Sequence, residues 1–169
     1  RTELARLADL HLQLRPGTNV ALLNAMGHVL VKEGLLDQAF IAARAEGIED
    51  WIKTVSDCTP EAAEVITGVP AHLIAQAARL YGSSGASFCC HGLGVTEHRW
   101  GSHGVIALCN LALATGNIGK PGTGINPLRG QNNVQGASDM GCLPTYYAGY
   151  QSLDDPKLAA LHQATTGRP

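Results

Sequence analysis

The sequence is poor in charged and aromatic side chains, which make up 15% and 5% of its 169 residues. It has no basic tract of the kind that binds nucleic acid and no cationic amphipathic helix of the kind that lies on a membrane surface. Its longest apolar run, residues 105–114, contains Asn110 and is far shorter than the roughly 18 residues that span a bilayer. These absences leave a globular domain, and the low charge predicts that part of its surface faces other protein.

The five cysteines are odd in number and lack the Cys-x-x-Cys spacing of zinc and redox sites. Adjacent Cys89 and Cys90 lie in an apolar run, which is typical of a buried strand in a reducing compartment. We therefore expect structural thiols, no metal ligands and a cytoplasmic location. The five residues concerned are Cys58, Cys89, Cys90, Cys109 and Cys142.

The composition divides the chain into three parts. Residues 1–115 carry regular hydrophobic patterns, whereas residues 116–151 are rich in glycine, proline, asparagine and glutamine. Residues 152–169 read as the start of a further segment. Because the chain opens on Arg1 and stops at residues 167–169 without a helix end, we expect all 169 residues to be one internal region of a longer polypeptide.

Hydrophobic periodicity predicts strands and helices in the first part. Residues 10–14 alternate between apolar and polar, as in a short half-buried strand. Thr18 or Asn19 can cap a helix that ends near Gly34. Thr59 followed by Pro60 is a strong helix start. The remaining predicted elements are helices over residues 36–45, 49–55, 60–66, 71–81 and 101–115, and a buried strand over residues 86–90.

This order of elements favours an α/β fold with a small parallel sheet flanked by helices, followed by a long irregular C-terminal third. In such sheets ligands bind beyond the carboxyl ends of the strands. Two turns fit that position, residues 15–19 and 92–98. We expect both turns to lie on one rim of the fold.

Familiar catalytic and nucleotide-binding templates do not fit. Residues 116–121 resemble a phosphate-binding loop, but the glycine spacing is short and Pro121 replaces the required Ser or Thr. Gly92 and Gly94 supply two of the three dinucleotide-fingerprint glycines, and the third is missing. His91, His98 and His103 are close in sequence without a metal-ligand spacing. Taken singly, each of these histidines is more typical of a core or surface residue than of a catalytic one.

Residues 124–136 are different. Arg129 is their one charged residue and is surrounded by amides and glycines, with no carboxylate nearer than Asp139. Its planar guanidinium can hold a carboxylate or phosphate through two parallel hydrogen bonds. The amides can bind a heterocycle, and glycine lets the backbone approach it closely. From the residues alone, an anion or cofactor site and a structural loop remain open.

Several segments closely resemble the alpha subunits of molybdopterin-dependent formate dehydrogenases. The wider superfamily shares the Thr-Gly-Asn-Ile-Gly run, and the Leu-Arg-Gly-Gln-Asn-Asn run points to formate rather than nitrate. The resemblance implies a Rossmann-like molybdopterin oxidoreductase domain. The segments are residues 8–12, 16–22, 92–98, 113–124, 126–136, 139–141 and 149–151.

The resemblance also implies catalytic roles. Arg129 matches the arginine that holds the carboxylate of formate beside the metal, and Gln131 matches a glutamine close to both the metal and the pterin. The implied activity is oxidation of formate to carbon dioxide. Another molybdopterin oxidoreductase acting on a different anion, such as a nitrate reductase, and a non-catalytic scaffold module are the alternatives.

Cofactor-binding roles follow in the same way. Leu93 and Gly94 match residues that pack against a pterin guanine dinucleotide, while Gly17 and Asn19 match a turn that meets its guanine end. Glu97 stands where relatives often carry Gln, so its contact departs from the family pattern. Asn19 likewise stands where relatives often carry Asp.

The implied cofactor is molybdenum or tungsten held by two pterin guanine dinucleotides and shared with other parts of the polypeptide. The family's cysteine motif for a 4Fe-4S cluster is missing here, as are the cysteine or selenocysteine metal ligand and the C-terminal domain. We therefore expect this chain to bind no metal directly and to be inactive alone. Its implied partners are the rest of its own polypeptide and an iron–sulfur or diaphorase subunit, with no nucleic acid and no membrane segment.

Overall fold

The computed structural model describes residues 2–167. They form two compact units, one up to Leu128 and one from Arg129 onward. The division predicted at residue 116 is a change in amino-acid composition, whereas the two units differ in which residues contact one another. The predicted division therefore stays a prediction. The first unit contains α1 (Glu3–Leu7), α2 (Asn19–Lys32), α3 (Gln38–Arg44), α4 (Ile48–Val55), α5 (Pro60–Thr67), α6 (Ala71–Ser83), β1 (Phe88–His91), α7 (Leu93–Thr96), α8 (Gly101–Ala114) and β2 (Gly124–Pro127).

Helix α2 is the centre of the first unit and packs against α4, α5, α6 and α8. Its approach to α4 depends on Gly27, because a Cβ at this position would lie 2.9 Å from Cζ2 of Trp51. The apolar residues of α2, α5 and α6 then close one core around it. The core residues of this cluster are Leu22, Ala25, Ala63, Val69 and Ile74.

The predicted helices are confirmed, with ends that differ by at most three residues. Thr59 accepts a hydrogen bond from the amide of Ala62 at 3.2 Å, and Pro60 occupies the first turn, as its sequence predicts. Thr18 precedes α2, but its hydroxyl donates to the carbonyl of Arg15 at 2.7 Å rather than capping the helix. The one-turn helix α7 has no periodic signal and was not predicted.

The small parallel sheet is confirmed. The strand predicted over residues 86–90 is observed as β1, but Phe88 and Cys90 are exposed rather than buried, and its partner is not the other predicted strand. β1 pairs in parallel with β2, in a register that places Phe88 opposite Gly124 and His91 opposite Pro127. β2 lies within the stretch predicted to be irregular. β2 is only four residues long and has glycine and proline at its ends. Because both residues are uncommon inside strands, the composition of this segment does not predict one.

The strand predicted over residues 10–14 is wrong. Leu12 and Leu14 do point towards one side, because both pack against the helical core. However, no strand between residues 2 and 167 pairs with this backbone, and the amide of Arg15 instead donates to the carbonyl of Thr67 at 2.9 Å. Alternation therefore arose from packing on helices rather than from a sheet.

A buried polar network joins α8 to β1. Asn117 is 1% exposed, and its Oδ1 accepts from the amide of Ser87 at 2.8 Å. Its Nδ2 donates to the hydroxyl of Thr115 at 2.8 Å, and that hydroxyl donates to the carbonyl of Leu111 at 2.7 Å. Burial raises the pKa of the neighbouring Tyr81 phenol. Both halves of the Asn117 amide are thus used inside the fold.

The second unit is built from short elements: α9 (Val134–Asp139), β3 (Tyr146–Tyr147), a 3₁₀ turn (Ala148–Tyr150), β4 (Gln151–Ser152) and α10 (Pro156–Thr166). β3 and β4 pair antiparallel. The Tyr147 ring stacks on the ring of His162, with centroids 4.3 Å apart. Up to Ser152 these pieces are at most six residues long, so this part of the predicted irregular third contains regular but very short elements. α10 is an eleven-residue helix with Gly167 in a left-handed conformation at its C-terminus, so the expectation of no helix end at residues 167–169 is wrong.

All five thiols are free, and they differ in environment. Burial raises the pKa of Cys58 and of Cys89, so at pH 8 each holds less thiolate than an ordinary cysteine. Cys90 and Cys142 are exposed. We expect iodoacetamide at pH 8 to alkylate Cys90 and Cys142 at least several-fold faster than Cys89, measured by peptide mass spectrometry. The difference should vanish in denaturant, and equal rates in the folded protein would contradict it.

Candidate functional site

The two parallel strands end side by side. β1 ends at His91 and β2 at Pro127, and the amide of Leu128 donates to the carbonyl of His91 at 2.7 Å. The residues that follow both strands therefore start from one edge of the sheet. This is the edge where ligands bind in open parallel sheets.

The turn after β1 is short and open. Gly92 leads directly into α7, in which Leu93 is 60% exposed and Gly94 faces open space, since a Cβ there would meet no atom within 4 Å. His98 folds back over it, with Nε2 2.7 Å from the carbonyl of Gly94. Because a carbonyl only accepts, Nε2 must carry the proton. This bond fixes the imidazole at the side of the turn.

The turn before α2 is equally open. Gly17 has φ +80°, a left-handed conformation that favours glycine, and a Cβ there would also meet no atom within 4 Å. Asn19 is the first residue of α2, and no side chain caps this end of the helix. The first amide groups of a helix carry a partial positive charge and attract anionic or carbonyl oxygens.

The two turns meet around one cleft of about 310 Å³, as the sequence predicts. It lies within the first unit, and both glycines leave its floor open. Its lining residues are Leu14, Arg15, Pro16, Gly17, Asn19, Gly94 and His98. Leu93 and Glu97 do not line it; both are exposed on or just after α7.

Arg15 gives the cleft its positive charge. Its Nη1 donates to the carbonyls of Val65 and Ile66 at 2.8 and 3.2 Å, which places the guanidinium at the C-terminal end of α5. A cation is stabilised there by the helix dipole. No carboxylate pairs with Arg15 among residues 2–167, where the ion pairs are Lys53–Asp50 and Arg79–Glu33. The cleft thus suits a ligand with polar or anionic oxygens.

Arg15 and His98 lie in the two turns predicted from the sequence, but neither was predicted to be a site residue. The sequence could have indicated both residues, because each is polar and lies in one of the predicted turns. Arg15 is in the turn before α2, and His98 is in the turn after β1 and α7. What the sequence cannot show is that Arg15 reaches carbonyls 50 and 51 residues away.

Arg129 and Gln131 lie in the second unit, at its start. Both are exposed, and within the described part of the chain neither makes a hydrogen bond or ion pair. The loop is held by other residues. Asn133 has φ +50° and accepts from the amide of Gly136 at 3.2 Å, and Gln135 donates to Asp139 and Tyr150. Arg129 is therefore not needed to brace its own loop.

Two kinds of feature are absent from residues 2–167. No cluster of three or more His, Cys, Asp or Glu side chains is arranged to hold a metal ion. No helix in this part of the chain has the length and apolar character needed to cross a membrane.

The family model for molybdopterin oxidoreductase matches residues 1–165. The chain therefore belongs to the molybdopterin oxidoreductase family, whose cofactor is molybdopterin. The resemblance read from the sequence is confirmed at this level.

Within this family, the chain is similar to several formate dehydrogenases. The chain is 53% identical over 156 residues to formate dehydrogenase H of Escherichia coli, covering 92% of this chain and 22% of that protein. It is 54% identical over 152 residues to the F420-dependent formate dehydrogenase 1 subunit alpha of Methanococcus maripaludis, covering 90% and 23%. The chain thus spans about a fifth of the length of the curated relatives it matches.

A solved structure supports the fold. The acetylene hydratase of Pelobacter acetylenicus superposes with a TM-score of 0.65 at 31% identity, over 72% of this chain and 17% of that one. The α/β architecture with a small parallel sheet and flanking helices is therefore shared within the family.

Proposed function

We propose that the chain is part of the catalytic subunit of a formate dehydrogenase, which oxidises formate to carbon dioxide. The observation that carries this proposal is the identity of 52–54% to three formate dehydrogenases, over about 90% of the chain in each case. The acetylene hydratase likeness is weaker, at 31% identity, and supports the fold alone.

The cleft of the first unit is the proposed seat of the cofactor, a pterin guanine dinucleotide carrying molybdenum or tungsten. Its residues fit such a group: Gly17 and Gly94 leave space for a flat heterocycle, while Arg15 and the uncapped end of α2 suit phosphate and carbonyl oxygens. Asn19 would hold the guanine end. Exposed Leu93, on α7, would pack against the pterin guanine dinucleotide, and exposed Glu97, just after α7, would accept a hydrogen bond from a pterin or guanine N–H.

When bound, the metal centre supplies an acceptor for the two electrons that formate loses as it becomes carbon dioxide and a proton. Arg129 would hold the carboxylate through two charge-assisted hydrogen bonds and so orient the C–H bond. Gln131 would position the substrate beside the pterin. That Arg129 has no carboxylate partner among the described residues, 2–167, supports this role.

The rest of the proposed assembly lies outside this chain. We propose that further parts of the polypeptide supply the metal ligand, a 4Fe-4S cluster and the second half of the cofactor cage. Electrons would then pass to an iron–sulfur or diaphorase subunit. We also propose a cytoplasmic location, because adjacent Cys89 and Cys90 in an apolar run are typical of a reducing compartment.

The direct test is formate-dependent dye reduction by the full polypeptide purified with its cofactor. We expect turnover with formate, and no comparable turnover with nitrate and reduced dye. Turnover with nitrate alone would identify a different member of the family. Full pterin and metal content with no turnover of either anion would support a scaffold module instead.

The cofactor cleft can be tested by filling it. Gly94→Leu places a side chain in the open space of the cleft, so we expect at least a tenfold loss of bound pterin per polypeptide. Gly85→Leu is the matched control, since Gly85 also faces open space but lies away from the cleft. Pterin content after gel filtration is the measurement. Unchanged content in Gly94→Leu would place the cofactor elsewhere.

A further inference from the structure

His91 carries an unpaired polar atom inside the fold. It is 8% exposed, and its Nδ1 is the buried side-chain nitrogen or oxygen atom without a hydrogen-bond partner among residues 2–167. Buried polar side-chain atoms in folded proteins nearly always have a partner. An unpartnered imidazole nitrogen is therefore a feature that requires an explanation.

Its place in the fold points to the cofactor. His91 is the last residue of β1, and its carbonyl is held by the amide of Leu128. Gly92 and the cleft residue Gly94 follow within three residues. His91 thus stands at the carboxyl end of the parallel sheet, directly before the turn that contributes Gly94 to the cleft.

Packing alone gives no reason for histidine here. An apolar side chain of similar volume would fill the same space without burying an unpaired nitrogen, which destabilises a fold by about 1–3 kcal/mol. Imidazole also has two χ2 orientations of nearly the same shape, so a half-turn of the ring exchanges the direction of Nδ1 at little steric cost. Gly92, the next residue, has the wide backbone freedom of glycine, so the backbone beside the imidazole can also adjust.

We propose that His91 is an additional cofactor-binding residue, whose imidazole makes a hydrogen bond to the molybdopterin cofactor over the Gly92–Gly94 turn. This inference rests on the cofactor cleft proposed above. It does not depend on formate being the substrate. In the cofactor-loaded protein this hydrogen bond gives the buried nitrogen a partner. In the cofactor-free protein the nitrogen has no partner, so His91 lowers the stability of the fold.

Three variants of the full polypeptide test this proposal. His91→Leu removes both ring nitrogens, His91→Asn keeps a polar atom near the position of Nδ1, and His91→Gln keeps one near Nε2. Two quantities are measured for each: pterin retained per polypeptide during gel filtration, and the melting temperature of the cofactor-free protein. Neither measurement uses formate, so a failure of the proposed activity would leave this test intact.

We expect His91→Leu to retain about tenfold less pterin while its cofactor-free form melts at the same temperature as the parent or higher. At least one of His91→Asn and His91→Gln should retain pterin close to the parent level. Normal retention in His91→Leu would overturn the proposal. So would retention and melting temperature that fall together in all three variants, because this pattern describes a packing residue.

Discussion

Arg129→Lys is expected to slow formate oxidation on the order of a hundredfold while the cofactor stays bound. Lysine keeps the positive charge but replaces a planar, two-pronged donor with a single point charge. The loss of about 3 kcal/mol of transition-state interaction corresponds to this change in kcat/KM. The measurement is kcat and KM for formate, per bound metal, in the full enzyme.

Two further variants separate charge from structure. Arg129→Ala removes the charge as well, so it should be slower than Arg129→Lys, and added guanidinium should restore part of its activity. Arg44→Lys is the matched control, because Arg44 is exposed and lies on α3, away from the cleft. Its kinetics should equal those of the parent.

A loop-bracing role for Arg129 gives a different pattern. The yield of folded, loaded enzyme would fall in Arg129→Lys, but the molecules that remain would turn over formate normally. Near-normal turnover per bound metal in Arg129→Lys would therefore remove this residue from the mechanism. The structure already favours the first outcome, because Asn133 and Gln135 make the contacts that hold the loop.

Helices could be predicted from the sequence because their signals are local. The Thr59-Pro60 start and the apolar spacing of α2 each act over a few residues, and both were correct. The sheet could not be predicted in the same way. β1 pairs with a strand more than 30 residues later, and that strand is four residues long with glycine and proline at its ends.

The candidate site shows the same division. The turns at Gly17 and Gly94 line one cleft, as the sequence predicts, but the rule about strand ends explains only the second of them. Gly94 follows β1, whereas the residues before Gly17 form no strand. Which side chains shape the cleft depends on tertiary contacts. Arg15 reaches the end of α5, and His98 bends back onto the carbonyl of Gly94. Neither contact has a sequence signature.

The Thr-Gly-Asn run, which the wider superfamily shares, has a structural role in this fold. Gly116 has φ +63°, and a Cβ there would collide with the carboxylate of Asp37. Asp37 in turn accepts from the amide of Phe40 and so begins α3. Thr115 and Asn117 face inward and make hydrogen bonds to the protein itself. This run therefore joins α8, α3 and β1 rather than contacting a ligand through these side chains.

Asn117→Leu is accordingly expected to reduce the free energy of unfolding by about 3 kcal/mol. It leaves the amide of Ser87 without an acceptor and forces a branched side chain into a site that is closely packed. Each unsatisfied buried group costs about 1–3 kcal/mol, and overpacking adds about as much again. Denaturant-induced unfolding of the chain, followed by circular dichroism, measures the change.

Asn117→Asp and Asn126→Ala complete this test. The aspartate keeps an acceptor for Ser87 but buries a charge and loses the donor to Thr115, so it should destabilise the fold at pH 7 and less at low pH, where the carboxyl is protonated. Asn126 is exposed on β2, and its replacement by alanine should change stability by less than about 0.5 kcal/mol. If Asn117→Leu is as stable as the parent but retains less pterin, the network is not structural, and Asn117 belongs to the cofactor site instead.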